Sequence, residues 1–330
     1  MKIAFFETDK NEEKILRDGL KNHTLLFFKG ILDNTNFSKI RGFDIISVET
    51  GSEVTEKIIK SIGNLKMIAA RCTGYDKIDL AYCKKNNIIV SNVPTYSEHS
   101  VAEHTFALLL SISRNITKTY NRIHKNNFSI EGLEGFDLNE KTIGVIGTGH
   151  IGSHVIRIAR GFEMKVLAFS RKRDKHLEAR LGFKYVNLDK LLKKSDVITL
   201  HTPLTRETEH LIDKKAIKKM KTGVVIINTA RGRIIDTPAL VKALEDKKIY
   251  ATGLDVLEGE ELIKNKQAHK KLNVKSFRQL AMDHKLLNRE NVIFTPHIAF
   301  SSRESRQKLL RETINNIKLF LKNKIINNVY

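Results

Sequence analysis

Short apolar runs alternate with segments of helical spacing along most of this chain, and this alternation constrains the fold more than any other feature. In the first hundred residues the runs that predict buried strands are Ile3–Phe6, Ile45–Val48, Met67–Ala70 and Ile88–Val90. Helical spacing lies between them, at Asn11–Leu20 and Val54–Ile62. Because strands that alternate with helices form parallel sheets covered on both faces, the sequence predicts an α/β fold.

A second series of the same kind follows a segment that predicts one long helix, from about Ser97 to Arg122. Its predicted strands are Thr142–Ile146, Lys165–Phe169, Val197–Leu200, Val224–Asn228 and Ala251–Leu254. Its predicted helices are Ile151–Arg160, Leu188–Lys194 and Pro238–Asp246, the last capped by the hydroxyl of Thr237. A polar stretch, Glu261–Glu290, precedes the final apolar strand.

The C-terminal segment Ser302–Lys322 has apolar residues at helical spacing and is expected to fold back onto the first series. A chain of 330 residues is too long for one ordinary core. We therefore predict two doubly wound parallel-sheet domains of the Rossmann-like type with a cleft between them. Residues 1–98 and 300–330 would form the substrate-binding domain, and residues 99–299 would form the dinucleotide-binding domain.

The chain carries 58 Lys and Arg residues against 37 Asp and Glu residues, a formal net charge of +21. Such an excess raises the alternative of nucleic-acid binding. The basic residues are spread along the chain, Trp is absent, and neither zinc-finger spacing nor an RNP-like aromatic run occurs. No nucleic-acid partner is therefore expected, and a basic surface that attracts anionic substrates and cofactors is the favoured interpretation.

Targeting and redox features predict a cytoplasmic protein. The N-terminal apolar run ends at Glu7, which makes it too short for a secretory signal, and no apolar stretch is long enough to span a membrane. The two cysteines, Cys72 and Cys83, lack metal-ligand spacing and are too few for a disulfide framework. We expect neither a metal site nor a membrane partner.

A glycine motif predicts where a dinucleotide binds. Gly147, Gly149 and Gly152 follow the spacing G-x-G-x-x-G between an apolar strand and a helix, with His150 and Ile151 inside the motif. The first glycine permits a tight turn, the second lets backbone N–H groups approach a pyrophosphate, and the third allows close helix–strand packing. The unpaired N–H groups of the helix N-terminus face the anion. The sequence thus predicts NAD or NADP as the cofactor, a glycine-rich turn without a ligand being the alternative.

The residues after the second strand of this series bear on the choice between NAD and NADP. An acidic residue that binds the adenosine ribose is expected at the end of Lys165–Phe169. Ser170 and Arg171 stand there instead, followed by Lys172 and Arg173. A hydroxyl with nearby cations can accept a 2′-phosphate, which a carboxylate would repel. We therefore expect NADP to be accepted; alternatively, the basic run is ordinary surface charge and NAD binds through its other contacts.

Three motifs, each following a predicted strand, indicate a catalytic site: Asn228–Gly232, Gly253–Glu260 and Thr295–Ala299. Ligands of an open α/β sheet bind beyond the carboxyl ends of its strands, where these motifs lie. Together the motifs resemble the D-isomer-specific 2-hydroxyacid dehydrogenase family. The resemblance covers nearly the whole chain, since Thr73–Asp76, Val101–His104 and His201–Thr205 are also similar to that family.

The resemblance identifies Arg231, Glu260 and His297 as the catalytic group, and the chemistry of each side chain fits. Reduction of a 2-keto acid needs a proton for the oxygen that becomes a hydroxyl, and imidazole releases a proton near neutral pH. A carboxylate beside the ring favours its charged form and fixes its orientation. The planar guanidinium can hold a substrate carboxylate with two hydrogen bonds and polarise the keto oxygen. A lone histidine is more often structural, but the two matching partners argue against that interpretation.

The resemblance also implies roles for further residues. Thr73 and Gly74 would offer backbone N–H groups to the substrate carboxylate, while Tyr96 and Phe300 would close the substrate pocket. Asp255 would face the nicotinamide carboxamide. The remaining expected cofactor contacts are His201, Thr202, Pro203 and Thr208 around the adenosine, together with Thr229 and Ala230. The helix that follows Ser97 is similar to the family's dimer contact, so a homodimer is expected.

Within the family, several features resemble D-lactate dehydrogenases. They are His150 inside the glycine motif, the sequence Asp255–Glu260 and the long insertion before the last motif. Phe300 suits a small methyl group, so pyruvate, reduced to D-lactate, is the expected substrate. Ser170 departs from the usual NAD-linked pattern and is similar to some glyoxylate reductases, so glyoxylate or hydroxypyruvate reduction is the alternative. A second alternative, of another class, is a nucleotide-sensing binding protein like the co-repressors of this fold.

Overall fold

Each of the two alternating series forms its own parallel sheet in the computed structural model, which describes residues 1–33, 35–264 and 273–330. One compact unit consists of Met1–Tyr96 and Ser302–Tyr330, and the other of Ser97–Ser301. The predicted fold class, two Rossmann-like α/β domains, is confirmed. We call them the smaller and the larger unit.

In the part of the smaller unit that the structure describes, five parallel strands have the order β2-β1-β3-β4-β5. The strands are β1 (Lys2–Phe5), β2 (Thr24–Phe27), β3 (Ile45–Val48), β4 (Met67–Ala70) and β5 (Ile89–Ser91). The helices of its first segment, Met1–Tyr96, are α1 (Lys10–Gly19), α2 (Glu56–Ile62) and α3 (Leu80–Lys85), with a 3₁₀ turn at Phe37–Ile40. Strand β2 was not predicted, because its apolar run continues past Lys29 and hides the strand boundary.

In the described part of the larger unit, seven parallel strands have the order β12-β11-β10-β9-β6-β7-β8. The strands are β6 (Thr142–Ile146), β7 (Lys165–Phe169), β8 (Lys184–Tyr185), β9 (Val197–Leu200), β10 (Val224–Asn228), β11 (Ile249–Leu254) and β12 (Val292–Phe294). The helices are α4 (Glu98–Ser113), α5 (Ile116–Ile123), α6 (His150–Gly161), α7 (Lys175–Leu181), α8 (Leu188–Lys194), α9 (Lys214–Lys219), α10 (Thr237–Glu245), α11 (Glu260–Lys264) and α12 (Val274–Leu287).

The single long helix expected from Ser97 to Arg122 is wrong, because the chain breaks between α4 and α5. Asn115 adopts a left-handed backbone conformation, with φ of +52°. Its side-chain amide donates hydrogen bonds to the carbonyl oxygens of Leu133 and Glu134, at 3.1 and 3.0 Å. Asparagine tolerates this conformation better than most residues. A contact with a segment about twenty residues later thus ends a helix that local spacing would continue.

The start of α10 lies one residue earlier than predicted. Asp236, not Thr237, is the N-cap, and its carboxylate accepts a hydrogen bond from the backbone N–H of Ala239. The Thr237 hydroxyl instead donates to Glu258 at 3.0 Å.

The polar stretch Glu261–Glu290, to which no element was assigned, contains the amphipathic helix α12. Residues 265–272 of this stretch lie outside the described residues.

Apolar side chains cover both faces of each sheet, which explains why the strands are apolar along their whole length. Neighbouring residues of β3, Ile45 and Ile46, belong to clusters on opposite faces, as do Val197 and Ile198 of β9. The C-terminal helix α13 (Arg303–Phe320) belongs to the smaller unit and packs on its sheet through residues such as Leu310. Over the described residues, no helix combines the length and apolar character that crossing a membrane requires.

Candidate active site

The sequence motifs of the larger unit meet at one edge of its sheet. Since all strands are parallel, the residues that follow β6, β7, β9, β10, β11 and β12 lie along the same carboxyl edge. The glycine motif follows β6, and the three catalytic motifs follow β10, β11 and β12. Ligands of open α/β sheets bind beyond this edge.

The glycine motif forms a tight turn that tolerates no side chain at two of its positions. Gly147 has φ of +97°, and a Cβ on it would lie 2.4 Å from the carbonyl oxygen of His201. A Cβ on Gly152 would lie 2.0 Å from the carbonyl oxygen of Gly147. Gly149 caps the twelve-residue helix α6 and has open space where a Cβ would stand. The three glycines leave room for a pyrophosphate to approach the N–H groups of the first helical turn. In that turn His150 is exposed and Ile151 is half-buried.

The residues after β7 lie at the surface. Ser170 is half-buried and Arg171 is exposed. The Nη1 atom of Arg171 lies 3.9 Å from Oε2 of Glu207, in the loop after β9, and both side chains are about two-thirds exposed, at 66% and 69%. Such an exposed pair contributes little stability. It nevertheless places a carboxylate beside the cation that was expected to meet a 2′-phosphate, a neighbour that no sequence motif indicated.

The loop after β9 is held by its own side chains. Nε2 of His201 forms a hydrogen bond with the Thr199 hydroxyl at 2.8 Å. Burial lowers the pKa of the His201 imidazole to about 3, so the ring is neutral. The Thr208 hydroxyl donates to the carbonyl oxygen of Pro203 at 2.6 Å and accepts from the N–H of Thr205 at 2.7 Å. His201 and Thr208 therefore shape the loop that carries Thr202 and Pro203.

A turn after β10 presents Arg231. The side chain of Asn228 folds this turn, accepting from the N–H of Ala230 at 3.0 Å and donating to the carbonyl oxygen of Arg231 at 2.9 Å. The Thr229 hydroxyl lies 3.1 Å from that of Thr105. A Cβ on Gly232 would lie 2.0 Å from the carbonyl carbon of Leu257, so the motifs after β10 and β11 are in close backbone contact. Arg231 itself is half-buried, with Nη1 donating to the Ala230 carbonyl at 2.8 Å.

Asp255, directly after β11, organises the loop that carries His297. Its fully buried carboxylate accepts hydrogen bonds from the Thr295 hydroxyl at 2.6 Å and from the N–H groups of Ile298 and Ala299, both at 2.9 Å. The N–H of His297 donates to the Asp255 carbonyl at 2.8 Å. Both carboxylate oxygens are thus engaged within the larger unit, a loop-holding role that sequence reasoning missed. Contact with a nicotinamide stays a prediction.

His297 and Glu260 form the polar centre of the site. Nδ1 of His297 lies 3.0 Å from Oε1 of Glu260, and the two side chains are 14% and 18% exposed. With the carboxylate at Nδ1, Nε2 is the ring nitrogen left to give a proton to a substrate. His297 has φ of +59°, a conformation that non-glycine residues adopt rarely and that is often found at functional sites. The ring of Phe300 lies edge-on, 6.3 Å away between centroids.

In the smaller unit, the predicted substrate residues follow β4 and β5. Thr73 is exposed, with its hydroxyl donating to the Val93 carbonyl at 3.1 Å; Gly74 is half-buried and Tyr96 is buried.

A charged cluster that was not predicted from the sequence lies after β3 and β4 of the smaller unit. Buried Glu49 accepts a hydrogen bond from Arg306 of α13 at 3.0 Å and lies 3.6 Å from Nε of fully buried Arg71. The only signal was a charged residue directly after each of two apolar strands.

Comparisons with known proteins show what the chain as a whole is similar to. The family model described as the D-isomer specific 2-hydroxyacid dehydrogenase, NAD binding domain, matches residues 106–299. The hydroxypyruvate reductase of Thermotoga maritima is 38% identical over 83% of this chain and 83% of that protein. A crystal structure of the D-lactate dehydrogenase from Aquifex aeolicus, complexed with NAD and lactic acid, is 36% identical with a TM-score of 0.89, covering 97% of this chain and 96% of the other. An acyclic imino acid reductase in complex with NADPH and D-Arg is 32% identical over both whole chains, with a TM-score of 0.85.

Proposed function

The chain belongs to the D-isomer-specific 2-hydroxyacid dehydrogenase family, and from that premise we propose that it interconverts pyruvate and D-lactate with NADH or NADPH. The observation that carries this proposal is the Glu260–His297 pair at the carboxyl edge of the sheet, at 3.0 Å, in a motif neighbouring that of Arg231. A positioned acid can protonate the oxygen that becomes a hydroxyl, and a guanidinium can bind the carboxylate of a keto acid with two hydrogen bonds.

The glycine turn fits the cofactor. Gly147 and Gly152 leave no room for side chains, and Gly149 leaves open space before the first turn of α6. Backbone N–H groups of this turn would hold the pyrophosphate, and Ser170 would face the adenosine ribose. When bound there, the nicotinamide supplies the hydride.

The protein residues move the proton and orient the substrate. His297 donates the proton from Nε2 to the keto oxygen, while Glu260 at Nδ1 holds the ring and balances the imidazolium charge. Arg231 binds the substrate carboxylate and polarises the keto oxygen. Asp255 fixes the backbone on both sides of His297, through Thr295 and Ile298, so that the ring keeps its direction during turnover.

Pyruvate is the proposed substrate because the ring of Phe300 lies beside His297, where a methyl group would be placed. The Aquifex enzyme, whose structure contains lactic acid, is 36% identical to this chain. Hydroxypyruvate or glyoxylate is the alternative, supported by the 38% identity to the Thermotoga hydroxypyruvate reductase. Thr73, Gly74 and Tyr96 of the smaller unit stay predictions as substrate contacts, as do the substrate-binding role of that unit and the dinucleotide-binding role of the larger one.

We also propose that the protein assembles as a homodimer. In the larger unit, α5 and the segment after it expose large apolar side chains, among them Tyr120 at 62%, Phe128 at 75% and Ile130 at 85%. Exposed apolar surface, where such side chains lie together, often marks a protein interface. A molar mass twice that of the 37.7 kDa chain in light scattering is the expected result, and a monomer at all concentrations would contradict it.

The test of the function is a substrate panel. Purified protein is mixed with pyruvate, glyoxylate or hydroxypyruvate and with NADH or NADPH, and the nicotinamide absorbance is followed. We expect the largest kcat/KM with pyruvate and a product of D configuration. A larger kcat/KM with hydroxypyruvate or glyoxylate would favour the alternative, and no turnover with any of the three would contradict the proposed substrate class.

A further inference from the structure

A buried carboxyl group with no part in the proposed reaction lies beside the catalytic pair. Asp283, on α12, is 0% exposed. Its Oδ1 accepts a hydrogen bond from the side-chain amide of Gln279 at 3.1 Å. Its Oδ2 lies against Gly259, so closely that a Cβ built on that glycine would stand 2.2 Å from the oxygen. The residue before Glu260 is therefore packed directly on this carboxyl.

Gly259 lies between two glutamates, each of which meets a histidine. Oε1 of Glu258 lies 2.8 Å from Nε2 of His210, and Oε1 of Glu260 lies 3.0 Å from Nδ1 of His297. The second oxygen of Glu258 accepts a hydrogen bond from the Thr237 hydroxyl. One three-residue segment thus carries two carboxylate–imidazole pairs. A shift of its central glycine would move both carboxylates.

The charge of Asp283 also bears on the pair. Burial raises the pKa of its carboxyl to about 7, with the Glu258 and Glu260 carboxylates raising it too, while the Gln279 amide and the Gly259 backbone oppose the shift. A further charged contact with this helix, between Lys285 and Glu245, is at its exposed side. Asp283 therefore changes between its neutral and ionised forms close to neutral pH, within reach of Glu260.

We propose that Asp283 is a positioning residue for the Glu260–His297 pair and acts through Gly259. Its carboxyl supports the Gly259 backbone and so sets where Glu260 presents its oxygen to His297. When ionised, the same carboxyl adds to the negative charge that favours the imidazolium form of His297. This inference rests on the proposed roles of Glu260 and His297.

The steric part is tested with a double-mutant cycle. In Gly259→Ala the new Cβ meets the Asp283 carboxyl, which displaces the segment, so we expect kcat for pyruvate to fall by roughly 10- to 100-fold while the Kd for NADH is kept. Adding Asp283→Ala removes the obstructing oxygen and should restore kcat at least threefold relative to Gly259→Ala. Recovery is partial because the Cβ also comes within 2.9 Å of Cγ of Gln279. If the effects of the two single substitutions on kcat simply multiply in the double variant, the steric link is overturned, because substitutions at residues in contact have non-additive effects.

The electrostatic part is tested with Asp283→Asn, which keeps the shape and removes the charge. We expect the alkaline limb of kcat/KM for pyruvate to move to lower pH by about 0.3–1 pH unit, because a negative charge near the proton donor is lost. Glu245→Gln, which removes the α10 carboxylate that pairs with Lys285 on the exposed side of α12, is the matched control and should leave the limb in place. A limb that is unchanged in Asp283→Asn would overturn this part.

A readout independent of turnover separates this inference from the proposed function. Imidazole resonances of His297 and His210, assigned with His297→Gln and His210→Gln, are compared in wild type, Asp283→Asn, Asp283→Ala and Glu245→Gln by NMR. We expect both resonances to move in the two Asp283 variants and neither to move in the control. If wild type fails to reduce pyruvate but the resonances respond, the function is wrong and the link from Asp283 holds. If both resonances stay unchanged in folded Asp283 variants, the link is wrong.

Discussion

Nδ1 of His297 lies 3.0 Å from Oε1 of Glu260, although 36 residues separate the two in the chain. The loop after β12 and the segment after β11 reach each other because the two strands are neighbours in the sheet. The contact fixes one ring nitrogen and orients the other. It therefore makes definite predictions about protons and pH.

Replacement of His297 by Gln removes the proposed proton donor while keeping a polar side chain of similar size. A positioned acid contributes about 100- to 10,000-fold to turnover. We expect kcat for pyruvate reduction to fall within that range and the Kd for NADH, from fluorescence titration, to stay within about threefold, because the glycine turn is untouched. Turnover close to that of wild type would show that another group supplies the proton.

Replacement of Glu260 by Gln keeps a hydrogen-bond partner for His297 but removes the charge. The carboxylate favours imidazolium, so its loss should make the proton donor disappear earlier as pH rises. We expect the alkaline limb of pyruvate reduction to move to lower pH, with kcat at acidic pH reduced less than at pH 8. A profile that superimposes on that of wild type would leave Glu260 with a structural role only.

Replacement of Arg231 by Lys keeps the charge but loses the planar fork that can bind a carboxylate with two hydrogen bonds. We expect KM for pyruvate to rise by roughly tenfold or more and kcat to fall as well, since the keto oxygen is less polarised. Arg233→Lys is the matched control, because Arg233 pairs with Glu209 outside the site. Equal KM values in wild type and Arg231→Lys would assign substrate binding elsewhere.

Asp283 should make the stability of the protein depend on pH. Its pKa is about 7 in the folded state against 3.8 ordinarily, so the folded state binds this proton more tightly than the unfolded state. The free energy of unfolding of wild type, relative to that of Asp283→Asn, should therefore be largest below pH 4. It should fall by on the order of 2–4 kcal/mol as pH rises to about 7. Denaturant unfolding of both proteins at pH 5 and pH 8 measures the difference. A difference that is the same at both values contradicts the raised pKa.

Some features could be predicted because they depend on neighbours in sequence. The glycine turn needs Gly147 and Gly152 within six residues, directly after an apolar strand, and the structure gives each a close backbone neighbour that excludes a side chain. The strands were predicted to within a residue or two at several places, such as Thr142–Ile146, because a sheet covered on both faces requires continuous apolar runs. His297 and Glu260, and the expected contact between a carboxylate and the imidazole, came from the resemblance of their motifs to the family.

Other features depend on contacts between distant segments, which leave no local pattern. The break at Asn115 depends on carbonyl groups near residue 134, and the burial of Asp283 depends on the packing of α12 against Gly259. Glu49 and Arg71 are buried together only because β3 and β4 are adjacent in the sheet. In each case a polar residue occupies a position whose surroundings only the tertiary structure defines.

The last prediction concerns the choice of cofactor. Ser170 removes the carboxylate that would repel a 2′-phosphate, and Arg171 can pair with that phosphate through a charge-assisted contact worth about 1.5–3 kcal/mol, or roughly ten- to a hundredfold in affinity. We therefore expect NADPH-dependent reduction of pyruvate, with Ser170→Asp depressing kcat/KM for NADPH far more than for NADH. Added salt should weaken NADPH binding more than NADH binding, because the contact is ionic and exposed.

Glu207 allows a test in the opposite direction. Its carboxylate lies 3.9 Å from the Arg171 guanidinium, so it would compete with a 2′-phosphate for that guanidinium. Glu207→Gln should raise the ratio of NADPH to NADH kcat/KM above that of wild type, just as Ser170→Asp lowers it. Glu209→Gln is the matched control: it removes an acid two residues away that pairs with Arg233, and it should leave the ratio unchanged. If the ratio responds to neither Ser170→Asp nor Glu207→Gln, the basic run after β7 is ordinary surface charge. If all three variants change it equally, the effect comes from net charge and not from a phosphate site at Arg171.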